Sequence, residues 1–208
     1  MKPKIAITFD DGPTEHTPRI LDALEKHNAK ATFFTLGKNI SSDVDTVKRT
    51  VDLGSEVISH SWSHNRKPRL SQFPAEEIRK ELTETHAEIE RVIGFSPAMF
   101  RPPYGGVSDT LKDVAEEMGL SIILWSLDSW DWRSQNADEI CNEVLSNVKA
   151  NDVLLFHDEY ASTADAIERV VPVLQEKYEL VTVSELMQQD GFTPGARVIY
   201  PLGKTKYD

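Results

Sequence analysis

The sequence predicts an α/β protein built on a parallel sheet covered by helices, either an open doubly wound sheet or a barrel. Three observations lead there. Short runs rich in apolar and β-branched residues recur near 4–9, 31–36, 55–59, 98–101, 121–125, 153–156 and 180–183. Helical patterns fill the gaps, and this alternation, about seven times over, is what βαβ units produce. Polar clusters follow five of the runs instead of being scattered. In a parallel barrel, residues just past the strand C-termini converge on one face, where active sites lie.

Each element has a local reason. Ile5-Ala6-Ile7-Thr8-Phe9 reads as a buried strand that Gly12-Pro13 stops. Thr17-Pro18 is read as an N-cap followed by proline at the first helical position, leading into Ile20, Leu21 and Leu24. Asn28, Gly54, Gly94 and Gly119 stand where helices should end. Pro74 opens a longer helix carrying Ile78, Leu82, Ile89 and Ile93, and Ser184 is positioned to cap a short last one. The tail after Asp190 reads as irregular and is expected to pack across one end.

The 208 residues suit a single domain, 1–208, with chain enough for a substantial core. A formal net charge of -11 argues against nucleic acid and anionic membrane as partners. No apolar stretch approaches the ~18 residues that a membrane-spanning helix needs. The single cysteine, Cys141, excludes an intramolecular disulfide and a cysteine-rich zinc site, and it reads as a small buried residue of a helix. There is no room for a signal peptide before Ile5, so a cytosolic or trimmed mature form is expected, and a monomer.

The chemistry begins at Asp10-Asp11. Two carboxylates at the end of a buried strand are costly unless compensated. His60 and His64 follow the third strand, where they would share a helix face at i, i+4. One carboxylate and two imidazoles with an open position make a catalytic zinc site, which lowers the pKa of a bound water. A strand sends successive side chains to opposite faces, so one aspartate can hold the metal while the other acts as general base. Arg101, in Arg101-Pro102-Pro103-Tyr104-Gly105-Gly106, can hold that base ionised. His157 is a candidate general acid and Asp131 the carboxylate that orients and charges it. The backbone N–H of Tyr104 is a candidate oxyanion donor. Each cluster also has an ordinary reading: Asp-Asp-Gly-Pro as a turn, the histidine pair as incidental, Arg101 before two prolines as a surface loop, Trp130 and Trp132 as core aromatics, and His157 as a buried hydrogen-bonded residue. His16, His27 and His86 read as surface or structural.

Taken together the clusters resemble the polysaccharide deacetylases with a NodB-type domain, carbohydrate esterase family four, over roughly Ile5 to Leu186. Thr8-Phe9-Asp10-Asp11-Gly12-Pro13, His60-Ser61-Trp62-Ser63-His64, Arg101-Pro102-Pro103-Tyr104-Gly105, Asp131-Trp132 and Leu155-Phe156-His157 look like the five motifs of that family. The resemblance implies a distorted (β/α) barrel of about seven parallel strands with the site at the strand C-terminal face. It implies Asp10 as base, Asp11, His60 and His64 as ligands of one divalent metal, Zn2+ with Co2+ or Ni2+ able to substitute, and Arg101 tethering the base. Tyr104 would give the oxyanion amide, Asp131 would tune the acid His157, and Trp132 and Leu155 would wall the pocket for the acetyl methyl. The chain departs from many relatives in having Gly54-Ser55-Glu56 for Gly-His-Glu, and in Ser59; neither position is a ligand. The implied activity is removal of N-acetyl groups from N-acetylglucosamine polymers or oligomers of chitin or peptidoglycan type. O-deacetylation of acetylated xylan shares the same motifs. A non-catalytic carbohydrate-binding barrel would lack a base, a ligand or an acid. A glycosidase would need two carboxylates across a cleft and would leave the histidines without a role.

Overall fold

The computed structural model describes residues 2–195 and 198–201. Its strands are β1 (Lys4–Asp10), β2 (Thr32–Thr35), β3 (Glu56–Ser59), β4 (Met99–Phe100), β5 (Ser121–Ile123), β6 (Leu127–Asp128), β7 (Val153–His157), β8 (Glu179–Val181) and β9 (Ile199–Tyr200). They form one curled sheet in the order β6-β7-β1-β2-β3-β4-β5-β9, with β8 paired to β1. Every pairing is parallel. The helices are α1 (Thr17–Lys26), α2 (Gly37–Ile40), α3 (Val44–Asp52), α4 (Ala75–Ile93), α5 (Asp109–Glu117), α6 (Asp131–Ser134), α7 (Ala137–Asn147), α8 (Ala161–Lys177) and α9 (Val183–Gln189). The distorted parallel barrel predicted from the motifs is the fold observed.

The alternation of strand side chains positions the site. Ile5, Ile7 and Phe9 of β1 join Leu21, Leu24, Leu154, Phe156 and Ile167 in an outer core beneath α1 and α8. Ala6 points the other way, into an inner cluster with Phe34, Ile58, Met99, Ile123 and Val153. Leu186, Met187 and Tyr200 belong to the same cluster and close that end of the barrel. Inner rows repeat every second residue. From Ala6 the row reaches Asp10, from Ile58 His60, from Met99 Arg101, and from Val153 His157. The lumen is therefore apolar at the N-terminal end of the strands and chemical at the C-terminal end.

Several local expectations change. The 121–125 run shortens to β5, and a further short strand, β6, follows at Leu127–Asp128. The tail is not wholly irregular, because β9 adds to β5 and Tyr200 is buried. His16 occupies the N-cap of α1, and Thr17, one residue inside, turns its hydroxyl to Asp158 instead. Thr182, not Ser184, caps α9, in a capping box with Glu185. Asn28, Gly54, Gly94 and Gly119 all have positive φ just past helix ends, as expected. Cys141 is buried on α7. Among the described residues no helix is long and apolar enough to cross a membrane.

Candidate active site

Asp10 is the last residue of β1, and Asp11 follows with φ +82°. This left-handed residue undoes the alternation expected of a continuing strand, so both carboxylates reach the same mouth. Asp11 is held through its backbone, its N–H donating to Phe34 O at 3.2 Å and its carbonyl accepting from Asn39 Nδ2 at 2.9 Å. His60 and His64 do not share a helix face. They lie on a loop that Ser61 (φ +70°) and His64 (φ +54°) bend back on itself. Sequence reading missed what holds that loop. Glu81 of α4 accepts from the N–H groups of Trp62 and Ser63, both at 2.9 Å, and from the Ser63 hydroxyl at 2.8 Å.

The loop brings His60 Nε2 to 3.5 Å and His64 Nε2 to 3.3 Å from Asp11 Oδ1. Donors ~2.0–2.1 Å from a tetrahedral ion lie ~3.3 Å from one another. His60 Nδ1 donates to Arg101 O at 2.8 Å, which leaves Nε2 as a lone pair facing Asp11. Burial pulls His60 down and His64 down to about 4, so both rings are neutral, as ligands must be. Burial pushes Asp11 up, and its Oδ1 is buried with no hydrogen-bond partner. These three residues fit a divalent metal: a carboxylate oxygen with no hydrogen-bond donor faces the Nε2 atoms of two neutral imidazoles, and a cation satisfies all three at once.

Asp10 belongs to a different arrangement. Arg101 is fully buried and donates from one terminal nitrogen to Asp10 Oδ1 at 2.7 Å and to the Thr8 hydroxyl at 2.8 Å. Its remaining donors reach Leu124 O at 2.8 Å and Ile123 O at 3.3 Å, and its guanidinium lies 3.9 Å over the Phe34 ring. Burial raises the Asp10 pKa, but Arg101, then His60 and His157, outweigh it and leave the carboxyl below its ordinary value. A buried ion pair with satisfied donors keeps its charge. Asp10 Oδ2 remains 3.5 Å from His60 Nε2, beside the metal pole.

Across the β1–β7 ladder Asp10 pairs in register with His157. His157 Nδ1 lies 2.8 Å from Asp131 Oδ1, and its backbone N–H donates to Oδ2 at 2.6 Å. Thr163, unforeseen from the sequence, donates its hydroxyl to Oδ2 at 2.8 Å. The backbone N–H of Trp132 donates to Oδ1 at 2.7 Å. Burial works against the imidazolium, but Asp131, then Asp10 and Asp11, push the His157 pKa up to about 10. Asp10 is thus held as an anion and His157 as a cation.

Tyr104 takes φ +60° within a rigid 3-10 turn and sets its hydroxyl 3.2 Å from His64 Nδ1, a contact the sequence did not suggest. Leu155 is buried, two residues before His157 on the same face of β7. Trp132 is 44% exposed at the mouth, its ring 5.7 Å from that of Trp130. Beneath the Asp10-Asp11 turn lies Asp158, buried, with Oδ2 accepting from Thr17 at 2.6 Å. Burial pushes this carboxyl up to about 8. A side chain at Gly12 would put its Cβ 2.1 Å from Asp158 Oδ2, which is why glycine stands there.

A parallel α/β barrel that sets two histidines and one carboxylate beside an acid–base pair at its strand C-termini has the parts of a metal-assisted hydrolase. The chain belongs to the polysaccharide deacetylase family, whose model matches residues 1–123. It is 40% identical over 185 residues to the peptidoglycan-N-acetylglucosamine deacetylase PgdA of Listeria monocytogenes. That match takes in 88% of this chain and 38% of the Listeria protein, so the chain spans well under half of that relative's length. Among solved structures it resembles the T48 deacetylase with substrate, with TM-score 0.88, 34% identity and 96% of each chain covered. It also resembles the family 4 acetyl xylan esterase of Clostridium thermocellum in complex with cobalt, with TM-score 0.85, 32% identity and 94% and 97% of the two chains covered. The family is metal-dependent, and its Asp-His-His donor set is present here.

Proposed function

We propose that this chain is a hydrolase that removes N-acetyl groups from glycans containing N-acetylglucosamine, of peptidoglycan or chitin type. The observation that carries the reading is the Asp10–His157 pair: adjacent in register, oppositely charged, and set beside three convergent metal donors. Asp11, His60 and His64 would hold the ion, Zn2+ being the fit for two imidazoles and a carboxylate, with Co2+ or Ni2+ able to substitute. Bound there, it would supply Lewis acidity toward the acetyl carbonyl and a water of lowered pKa. Asp10 takes the proton of the attacking water, its oxygens aimed and kept ionised by Arg101. The Tyr104 N–H, in its Pro/Gly-fixed turn, donates to the developing oxyanion. His157 protonates the departing nitrogen, which cannot leave as an amide anion, and Asp131 stabilises the imidazolium until then. Leu155 and Trp132 enclose the acetyl methyl. The chain is proposed to act as a monomer.

O-deacetylation of xylan is the second reading, favoured by the likeness to the acetyl xylan esterase. A non-catalytic barrel is disfavoured because base, ligands and acid are all present. Acetate release measured on chitin oligomers, peptidoglycan and acetylxylan separates the readings. Higher kcat/KM on the N-acetyl substrates supports the proposal. Turnover confined to acetylxylan overturns it.

A further inference from the structure

The arginines of this chain are distributed in an uneven way. Among the described residues Arg19, Arg49, Arg79, Arg91, Arg101 and Arg169 each pair with a carboxylate. Arg66, Arg69 and Arg133 pair with no carboxylate of the described residues within 4.0 Å. With 34 acidic residues in 208, carboxylate partners are plentiful elsewhere on the molecule. The three without one all stand on the segments that follow the strand C-termini at the candidate site, Arg66 and Arg69 on the loop after His64 and Arg133 on α6. Arg66 and Arg69 follow His64 in a stretch, 57–75, that contains no aspartate or glutamate. Arg133 follows Trp132.

Their placement brackets the mouth. In the sheet order, the His64 and Tyr104 loops belong to β3 and β4, and the Asp131–Trp132 turn belongs to β6, with β7, β1 and β2 between. Arg69 is oriented: its guanidinium lies 4.9 Å over the Tyr104 ring, and that ring is 4.7 Å from His64. Stacking uses the flat face of a guanidinium and leaves its in-plane N–H donors available for a carboxylate. Arg133 stands on the opposite flank, exposed, next to Trp132 in the short helix α6. A chain of net charge -11 repels anionic polymers, so an anionic substrate needs local cations where it lies.

We propose that Arg69 and Arg133 bind carboxylates carried by the glycan on either side of the sugar being deacetylated, so that the preferred substrate is an acidic glycan and not a neutral one. This rests on the deacetylase reading above and narrows it. The carboxylates can come from an acid or peptide substituent of an amino-sugar polymer, or from uronic acid branches on an acetylated xylan. Guanidinium recognises both by the same paired hydrogen bonds.

The test compares each glycan with its own amidated form. Solubilised peptidoglycan fragments and glucuronic acid-bearing acetylxylan are used with free carboxylates and after conversion to methylamides. Acetate release is measured for the Zn2+-loaded wild type, Arg69→Gln, Arg133→Gln and the control Arg169→Gln, whose side chain is already paired, with Asp138. Binding of the same glycans to Asp10→Asn, with and without the arginine changes, is measured by calorimetry. The wild type is expected to favour the free-carboxylate form by about tenfold or more in kcat/KM, with the preference eroding in ~0.5 M salt. Each arginine change should cost about tenfold on the carboxylated glycan, mainly in KM, and several-fold less on the amidated one. Whichever glycan shows the effect identifies the source of the carboxylate. Equal losses on both forms, or a wild type indifferent to amidation, overturn the proposal. Absence of acetate release from every glycan overturns the deacetylase reading alone, since the binding measurements still decide the role of the arginines.

Discussion

Replacing Asp131 with asparagine isolates the proton on His157. Asp131 is completely buried and accepts four hydrogen bonds, two from His157, one from Thr163 and one from Trp132. An asparagine matches its shape but carries no charge, and one of its two ends must present N–H groups to donors. His157 then loses the main partner that lifts its pKa to about 10, while burial continues to depress it. Its value should fall to about 6.5 or below. An acid works only while protonated, so activity on an amide is retained below this pKa and lost above it. At pH 8 the wild-type imidazole is almost wholly protonated, whereas at a pKa of about 6.5 only ~3% is, a loss of about 30-fold in kcat/KM. At pH 5.5 the same variant keeps ~90% of its imidazolium, and the loss should be small. A bound dication repels the imidazolium and lowers the starting value in both proteins, without changing the direction of the shift. The assay is the pH profile of kcat/KM for acetate release from an N-acetylglucosamine oligomer. An activated phenyl acetate, whose leaving group needs no proton, serves as comparison and should show little of the high-pH loss. An unmoved basic limb, or an equal loss at both pH values and on both substrates, would refute the proton-donor assignment.

Three further outcomes are expected. Asp10→Asn should retain metal but lose most turnover, and it should lower thermal stability because Arg101 is left as an unpaired buried charge, a penalty of about 3–5 kcal/mol; Asp11→Asn should instead lose metal, as read by metal content after dialysis. Glu81→Ala touches no proposed ligand, yet it removes three hydrogen bonds from the His60–His64 loop. It should weaken metal affinity ~10–100-fold by competition titration, and unchanged affinity would assign Glu81 to stability alone. A pocket walled by Leu155 and Trp132 should prefer acetyl over butyryl, each ill-fitting methylene costing about 1–3 kcal/mol, and equal rates on the two acyl groups would place the methyl elsewhere.

The parallel architecture and the roster of chemical groups were legible in the chain, because both rest on local signals. Near-continuous apolar runs such as Ile5 to Phe9 call for burial on both faces, and the polar residues that follow each run are read straight off the chain. What it could not supply was orientation. Alternation along β1 predicts Asp10 and Asp11 on opposite faces, and the φ of +82° at Asp11 that reverses this depends on its tie to Phe34 and Asn39. The i, i+4 spacing of His60 and His64 suggests a helix. The loop that replaces it is held by Glu81, more than a dozen residues away on a helix whose charge pattern looks like ordinary solvated surface. Thr17 has the makings of an N-cap, but a buried carboxylate at Asp158, distant in sequence, takes its hydroxyl. The anchoring of Asp131 by Thr163 likewise has no local signature. Residue type follows from chemistry and can be read one position at a time. The direction in which a side chain points is settled by hydrogen bonds between segments far apart in the chain, and only the folded structure brings those together.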